Sequence, residues 1–94
     1  MPSTLQLPAD ARDDMTARLK RIEGQAKGIQ KMIEEDRDCV SVMNQLASIK
    51  AAINSVSGEM LESFALFCLR HPEQFVSPEQ AIEQAVQAMV RSGR

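Results

Sequence analysis

The sequence contains no tryptophan and no tyrosine, and its only phenylalanines are at positions 64, 67 and 75. A core must therefore be built from Met, Leu, Ile, Val and Ala, a set that favours helices over sheets. No stretch approaches the roughly 18 consecutive apolar residues of a transmembrane helix, so we expect no membrane span. The first residues are polar and acidic and do not resemble a signal peptide, which makes the cytoplasm the expected compartment.

Motifs for catalysis and for cofactor binding are also missing. The chain has two cysteines and one histidine, and it lacks a CxxC pair, an HExxH zinc motif and a glycine-rich phosphate loop. No nucleophile has a plausible base for a catalytic triad, so we predict that the protein is not an enzyme. His71 precedes Pro72 at a predicted helix end, where we expect a solvated side chain. In the cytoplasm, Cys39 and Cys68 are expected to be thiols rather than a structural disulfide.

Helical periodicity is what the sequence does contain. We predict a single domain over residues 1–94, with helices at about 10–35, 39–70 and 78–91. Residues 1–9 are predicted to be a flexible tail, because Pro2 and Pro8 oppose helix formation there. Pro72 ends the second helix, and Ser77 followed by Pro78 marks the start of the third. No segment alternates like a strand, so the predicted fold class is all-α.

The predicted second helix is too long for a compact monomer. Thirty helical residues span roughly 45 Å, whereas a compact chain of this length has a radius of gyration near ~13 Å. Cys39 and Cys68 are 29 residues apart, which places them within about 20° of one face but about 43 Å apart along the axis. They can meet only between chains, and an antiparallel dimer would bring Cys39 of one chain beside Cys68 of the other. The alternative is that both cysteines are ordinary core residues.

Basic residues are concentrated in the first half of the chain, although the formal net charge is −2. Lys20, Lys27 and Lys31 fall within about 40° of one another on the helical wheel, opposite the apolar side. Such a surface suits a polyanion such as DNA, while a solvated helix face explains the same charges without any partner. No helix-turn-helix is evident, because the second helix is too long for one. The candidate DNA-binding residues are Arg18, Lys20, Arg21, Lys27, Lys31 and Lys50.

These residues form a pattern that resembles a known family. The segment RLKRIEGQAKGI, the DC that ends at Cys39, the segment QLASIKAAI and a second cysteine 29 positions after the first resemble the copper-sensing operon repressor family of bacteria. The resemblance covers Met15 to Arg91. It implies an all-α antiparallel dimer, paired into a dimer-of-dimers tetramer, that binds operator double-stranded DNA until an effector releases it. Arg18 and Lys50 match family positions implicated in DNA contact, and the other basic residues rest on the charge pattern alone.

Members of this family differ in the effector that they sense. Copper members bind Cu(I) through Cys, His and Cys; the cysteines match Cys39 and Cys68, but the histidine position is Phe64, which cannot be a ligand. Copper members also tend to carry a tyrosine and a glutamate where this chain has Asp38 and Gln84. Two thiols without a further ligand resemble the persulfide-sensing branch. We therefore expect no metal cofactor, and release of DNA by reactive sulfur species through a disulfide or polysulfide between Cys39 and Cys68 of two subunits.

Two other effectors stay open. Cu(I), or another thiophilic metal, could use the same two cysteines. Formaldehyde is the other alternative, because members of that branch use an N-terminal proline and the first cysteine, which correspond to Pro2 and Cys39. Outside the family, a helical interaction module would explain the dimer, and a copper chaperone would explain the thiols. The module predicts no salt-dependent DNA binding, and the missing histidine argues against the chaperone.

Overall fold

The computed structural model describes residues 5–92, and every regular element in that range is helical. Helix α1 runs over Ala9–Glu34, α2 over Cys39–Arg70 and α3 over Pro78–Ser92, with one 3₁₀ turn at Pro72–Gln74 between α2 and α3. This confirms the predicted three-helix, all-α fold. Within the described range, no helix is long and apolar enough to span a membrane.

Polar side chains fix where α2 and α3 begin. Asp38 caps α2, because its carboxylate accepts a hydrogen bond of 3.0 Å from the backbone N–H of Ser41. Ser77 caps α3 in the same way, with its Oγ accepting from the N–H of Gln80 at 3.2 Å, as the sequence predicts. Asp36, after the end of α1, has a φ of 56°, a left-handed conformation that turns the chain. Because this turn is short and α1 packs on α2, the two helices form an antiparallel hairpin.

Helix α2 is the centre of the fold, since it packs against both α1 and α3. The molecule measures 54 × 27 × 15 Å and its radius of gyration is 16.9 Å, whereas a compact chain of this length would have roughly 12–13 Å. The elongation follows from the 32 residues of α2, which form a rod of about 48 Å. The other helices cannot cover such a rod, so the core is small. Its buried apolar side chains are Leu7, Met15, Ile29, Val56 and Cys68.

The residues just before α1 differ from the loose tail that the sequence predicts over residues 1–9. Leu7 is only 7% exposed, and together with Leu5 it lines a groove against α2 and α3. Helix α1 begins already at Ala9. Proline opposes a helix in this segment, but its leucines still gain free energy by packing on the helix pair. Residues 1–4, which include Pro2, lie outside the described residues.

One face of α2 carries a stripe of residues at three- and four-residue steps, which we call the α2 stripe. From Cys39 to Ile53 the stripe is exposed. From Ser57 onward it is half-buried or buried, because the N-terminal arm and α3 lie over it. The exposed half is a candidate contact surface, since a contiguous apolar patch is unfavourable in water. The stripe consists of Cys39, Met43, Leu46, Lys50, Ile53, Ser57, Met60, Phe64 and Cys68.

The packing of Leu7 can be tested by truncation. Leu7→Ala should lower the free energy of unfolding by about 2 kcal/mol, because it leaves a void beneath the N-terminal arm. The matched control is Leu69→Ala, since Leu69 is 65% exposed and its loss should cost less than about 0.5 kcal/mol. Urea melts followed by circular dichroism, at one fixed protein concentration, give both values. Equal values for the two variants would contradict the packing of the arm.

Candidate functional site

The first thiol stands at the beginning of α2. Cys39 is the first residue of the helix and is exposed. The preceding residue, Asp38, fixes this position through its cap on Ser41. The backbone N–H of Ser41 donates to the carboxylate and lowers the pKa of Asp38, so the cap is charged at neutral pH. The capping carboxylate therefore occupies the position at which copper members of the family tend to carry a tyrosine.

The second thiol stands in the last turn of α2 and is enclosed. Cys68 is 0% exposed, and burial raises the pKa of its thiol. Cys39 and Cys68 lie on one face of the same straight helix, about 43 Å apart, so they cannot meet within one chain. The described residues contain no group of three or more His, Cys, Asp or Glu that could hold a metal ion. Within the described residues, one chain therefore provides two separate soft ligands and no complete metal site.

Aromatic side chains surround the end of α2 that carries Cys68. Phe75, from the segment after the 3₁₀ turn, makes edge-to-face contacts with Phe64 and Phe67, with ring centroids 6.0 and 6.2 Å apart respectively. The ring of His71 lies 4.7 Å from that of Phe67, and its Nδ1 is 3.5 Å from a carboxylate oxygen of Glu73. His71 is exposed, as the sequence predicts for a helix end. These contacts tie the segment that leads to α3 to the end of α2.

Phe64 also lines an apolar groove of about 390 Å³ between the N-terminal arm, α2 and α3. Met60 and Leu61 form the α2 wall of this groove, and Ala85 and Met89 belong to its α3 wall. Phe64, which the resemblance matches to the histidine of copper members, is thus an apolar wall residue. The groove coincides with the covered half of the α2 stripe.

The three lysines of α1 lie on its exposed outer face, as the helical wheel predicts. Lys27 pairs with Glu23 at 3.7 Å and Lys31 with Glu35 at 3.8 Å. Both are pairs between highly exposed side chains one turn apart, so they are weak and readily exchanged. Lys20 makes no ion pair with any described residue. The outer face of α1 therefore keeps lysines that are available to an anion.

The two arginines lie on the side of α1 that faces α2. The Nε of Arg18 is 3.0 Å from Asp14, and its Nη2 is 3.1 Å from Glu59 of α2. Arg18 and Arg21 line a second groove, of about 360 Å³, between the two helices. Lys50 does not join them. It lies about 140° around α2 from the residues that face α1, on the α2 stripe between the cysteines. In a single chain the predicted basic surface is therefore divided between α1 and the α2 stripe.

Comparison with solved structures defines the class of protein. The chain is similar over its full length to the crystal structure of the copper-sensing repressor CsoR with Cu(I) from Geobacillus thermodenitrificans, with a TM-score of 0.77, 31% sequence identity and 94% of that chain covered. A family model described as "Metal-sensitive transcriptional repressor" matches residues 11–91. The class is that of helical transcriptional repressors, which are not enzymes.

Curated relatives agree with this class. The copper-sensing transcriptional repressor CsoR of Bacillus subtilis is 42% identical over 73 residues, which are 78% of this chain and 72% of the relative. The copper-sensing transcriptional repressor RicR of Mycobacterium tuberculosis is 38% identical over 58 residues, which are 62% of this chain and 60% of the relative. The chain belongs to the family of metal-sensitive transcriptional repressors, as the sequence pattern implies. These two relatives are named as copper-sensing, so they do not support the prediction that the chain belongs to the persulfide-sensing branch.

Two elements of the site were not predicted from sequence. The role of Asp38 as a helix cap had a local signal, since an aspartate directly before a helix is a strong capping residue. The bond between Arg18 and Glu59 had none, because these residues are 41 positions apart and meet only when α1 packs on α2. The pairing of Arg18 with Asp14 could have been predicted, because oppositely charged residues four positions apart on a helix are neighbours.

The different environments of the thiols predict different reactivity. At pH 7.5, iodoacetamide should alkylate Cys39 at least about tenfold faster than Cys68, because the nucleophile is the thiolate and only Cys39 is accessible. Burial also raises the pKa of Cys68, so its alkylation should become faster as the pH is raised. Peptide mass spectrometry over time measures both rates, and denatured protein is the control in which they should converge. Equal rates in the native protein would contradict the burial of Cys68.

Proposed function

We propose that this protein represses transcription as an antiparallel dimer that binds operator DNA through α1, and that a thiophilic effector joining Cys39 to Cys68 of the partner subunit releases the DNA. The observation that carries the proposal is the α2 stripe, which has one exposed half, one covered half and a thiol at each end. By the family resemblance, two such dimers pair into a tetramer.

The spacing along the stripe supports the antiparallel arrangement. If Cys39 faces Cys68 of the partner subunit, then Met43 faces the partner's Phe64 and Leu46 faces the partner's Leu61. The exposed half of one chain thus lies along the apolar groove of the other, and burial of these apolar side chains would stabilise the dimer. In the same register Lys50 faces the partner's Ser57. A polar pair within an apolar seam favours one register over its alternatives.

The DNA surface that we propose consists of the outer face of α1 and the groove beside it. Lys20, Lys27 and Lys31 supply mobile positive charges, and phosphates would replace the weak carboxylate partners of the latter two. Arg18 and Arg21 supply donors suited to phosphate oxygens. Lys50 enters this surface by the family resemblance alone. A dimer presents two such α1 faces, which doubles the charge offered to one duplex.

Cu(I) is the effector that the relatives favour. Their names describe copper sensing, and two thiolates are the soft ligands that Cu(I) selects. In the antiparallel dimer Cys39 and the partner's Cys68 would hold it, with the apolar Phe64 beside them in place of a third ligand. This ligand set fits a soft ion that accepts two-coordination, and it does not fit ions that require three or four nitrogen or oxygen ligands.

Reactive sulfur is the second candidate, and Phe64 is the observation that favours it, because facing thiols without a third ligand suffice for thiol exchange. The exposed Cys39 thiolate would attack a hydropolysulfide, forming Cys39 persulfide and expelling the shorter sulfur chain. The thiolate of the partner's Cys68 would then attack the inner sulfur of that persulfide. Hydrosulfide would leave, and a disulfide between the subunits would remain.

The DNA surface can be tested by charge removal. Lys27→Ala combined with Lys31→Ala should weaken binding at least about tenfold at moderate salt, and should lower the slope of log affinity against log salt by about 0.9 for each lost phosphate contact. Fluorescence anisotropy with a duplex selected from a random-sequence library measures both. Arg91→Ala is the control, since it removes the charge of an exposed arginine on a different helix, α3. A double variant that behaves like the control would remove α1 from the DNA surface.

The effector can be identified by separating binding from covalent chemistry. Cys39→Ala and Cys68→Ala should each retain DNA binding and lose release, because one thiol can neither bridge two subunits nor complete a disulfide. Wild-type protein is exposed without oxygen to Cu(I), to polysulfide or to formaldehyde while anisotropy follows the DNA. Intact mass under denaturing, non-reducing conditions then reports covalent products.

Each outcome points to one effector. Release by Cu(I) with unmodified monomer mass supports the metal. Release by polysulfide with a covalent dimer supports reactive sulfur. Release by formaldehyde alone supports the alternative that uses Pro2 and Cys39. Normal release of both single cysteine variants by every agent would contradict a mechanism that needs two thiols.

A further inference from the structure

Arg18 is held by two carboxylates at the edge of the groove between α1 and α2. Its Nε is 3.0 Å from Asp14, one turn earlier on α1, and its Nη2 is 3.1 Å from Glu59 on α2. We propose that Glu59 competes within the protein for the place of a DNA phosphate at Arg18, and that DNA binding displaces it. This inference rests on the proposed repressor function. It adds a phosphate site at Arg18 for which the Glu59 carboxylate competes.

The groove has the donors that a phosphate requires. Arg21, Gln25 and Ser55 line it together with Arg18. Guanidinium, amide and hydroxyl groups all donate hydrogen bonds to phosphate oxygens. Arg21 makes no ion pair with any described residue. Val56, which is buried, forms the apolar base of the groove, so an anion that enters is partly shielded from water.

The charges around Arg18 require one carboxylate to leave. Two carboxylates within 3.1 Å more than neutralise its single positive charge, and a phosphate placed at the same Nη groups would be repelled by the Glu59 carboxylate. Asp14 can stay, because its contact is with Nε, whereas Glu59 occupies Nη2. An arginine oriented in this way can offer both Nη groups to one phosphate.

Glu59 is the carboxylate that can leave at small cost. Its side chain is 38% exposed and that of Arg18 is 35% exposed, so water can solvate either group after separation. Half-exposed pairs of this kind contribute little net stability. Among the described residues, the pair between Arg18 and Glu59 is the only ion pair that joins α1 to α2, and its loss would remove this link. DNA binding would therefore exchange a contact between helices for a contact with phosphate.

The test uses Glu59→Gln, which keeps the size of the side chain and removes its charge. The matched control is Glu62→Gln, which makes the same charge change one turn along α2 at an exposed residue without an ion pair in the described range. The probe is a mixed-sequence duplex of about 30 base pairs, because phosphate contacts do not depend on sequence. Anisotropy across a salt series gives affinity and slope, and circular dichroism verifies the fold of each variant.

We expect Glu59→Gln to bind the duplex about three- to tenfold more tightly than Glu62→Gln does, since only the first removes a repulsive charge from the phosphate site. In an Arg18→Ala background the gain should vanish. Equal affinities of the two glutamine variants, weaker binding of Glu59→Gln, or a gain that persists without Arg18 would each overturn the inference. A wild-type protein that binds no duplex even at low salt would refute the repressor function itself, and the inference with it.

Discussion

The structure depends on one constraint: its central helix is too long for the rest of the chain to cover. Helix α2 spans 32 residues, and α1, α3 and the N-terminal arm together cover only part of its apolar face. The uncovered part, from Cys39 to Ile53, has the same spacing as the covered part. In the proposed antiparallel dimer, a second chain would lie along the uncovered part and bring Cys39 beside the partner's Cys68. The proposed assembly and the proposed sensing step therefore both follow from the same helix length.

The chain resolves a conflict between its net acidity and its proposed DNA surface by distributing carboxylates unevenly. Exposed pairs one turn apart, such as Lys27 with Glu23, leave the lysines available because water competes well with each partner. Arg18 is different, because two carboxylates hold its guanidinium in a fixed orientation at the groove. Net charge is thus a poor guide to this protein. The arrangement of each cation relative to its carboxylates is what a phosphate would encounter.

The two thiols share a helix but have different environments, and this difference matters more for effector choice than their number. Cys39 is exposed beside a charged cap, whereas Cys68 is enclosed and its pKa is raised by burial. Phe64, at the position that the resemblance matches to the histidine of copper members, lines the apolar groove. Family membership establishes a transcriptional repressor, and the two curated relatives compared above are named as copper-sensing. Two thiolates can bind a soft metal or take part in sulfur exchange. The two thiols therefore reduce the candidate effectors to these two classes and do not select between them.

The sequence by itself determined the three helices, the Ser77 cap and the proline that bound them, the exposed lysine face of α1 and the common face of the two cysteines. All of these depend on the helical repeat or on contacts within a few residues, which a single chain segment fixes locally. Only the tertiary structure decided that Leu7 is buried, that Glu59 holds Arg18, and that Lys50 lies far around α2 from the arginine groove. These features depend on how the helices are rotated against one another when they pack. That rotation is set by the fit of side chains distant in sequence, for which the periodicity of any one helix carries no information.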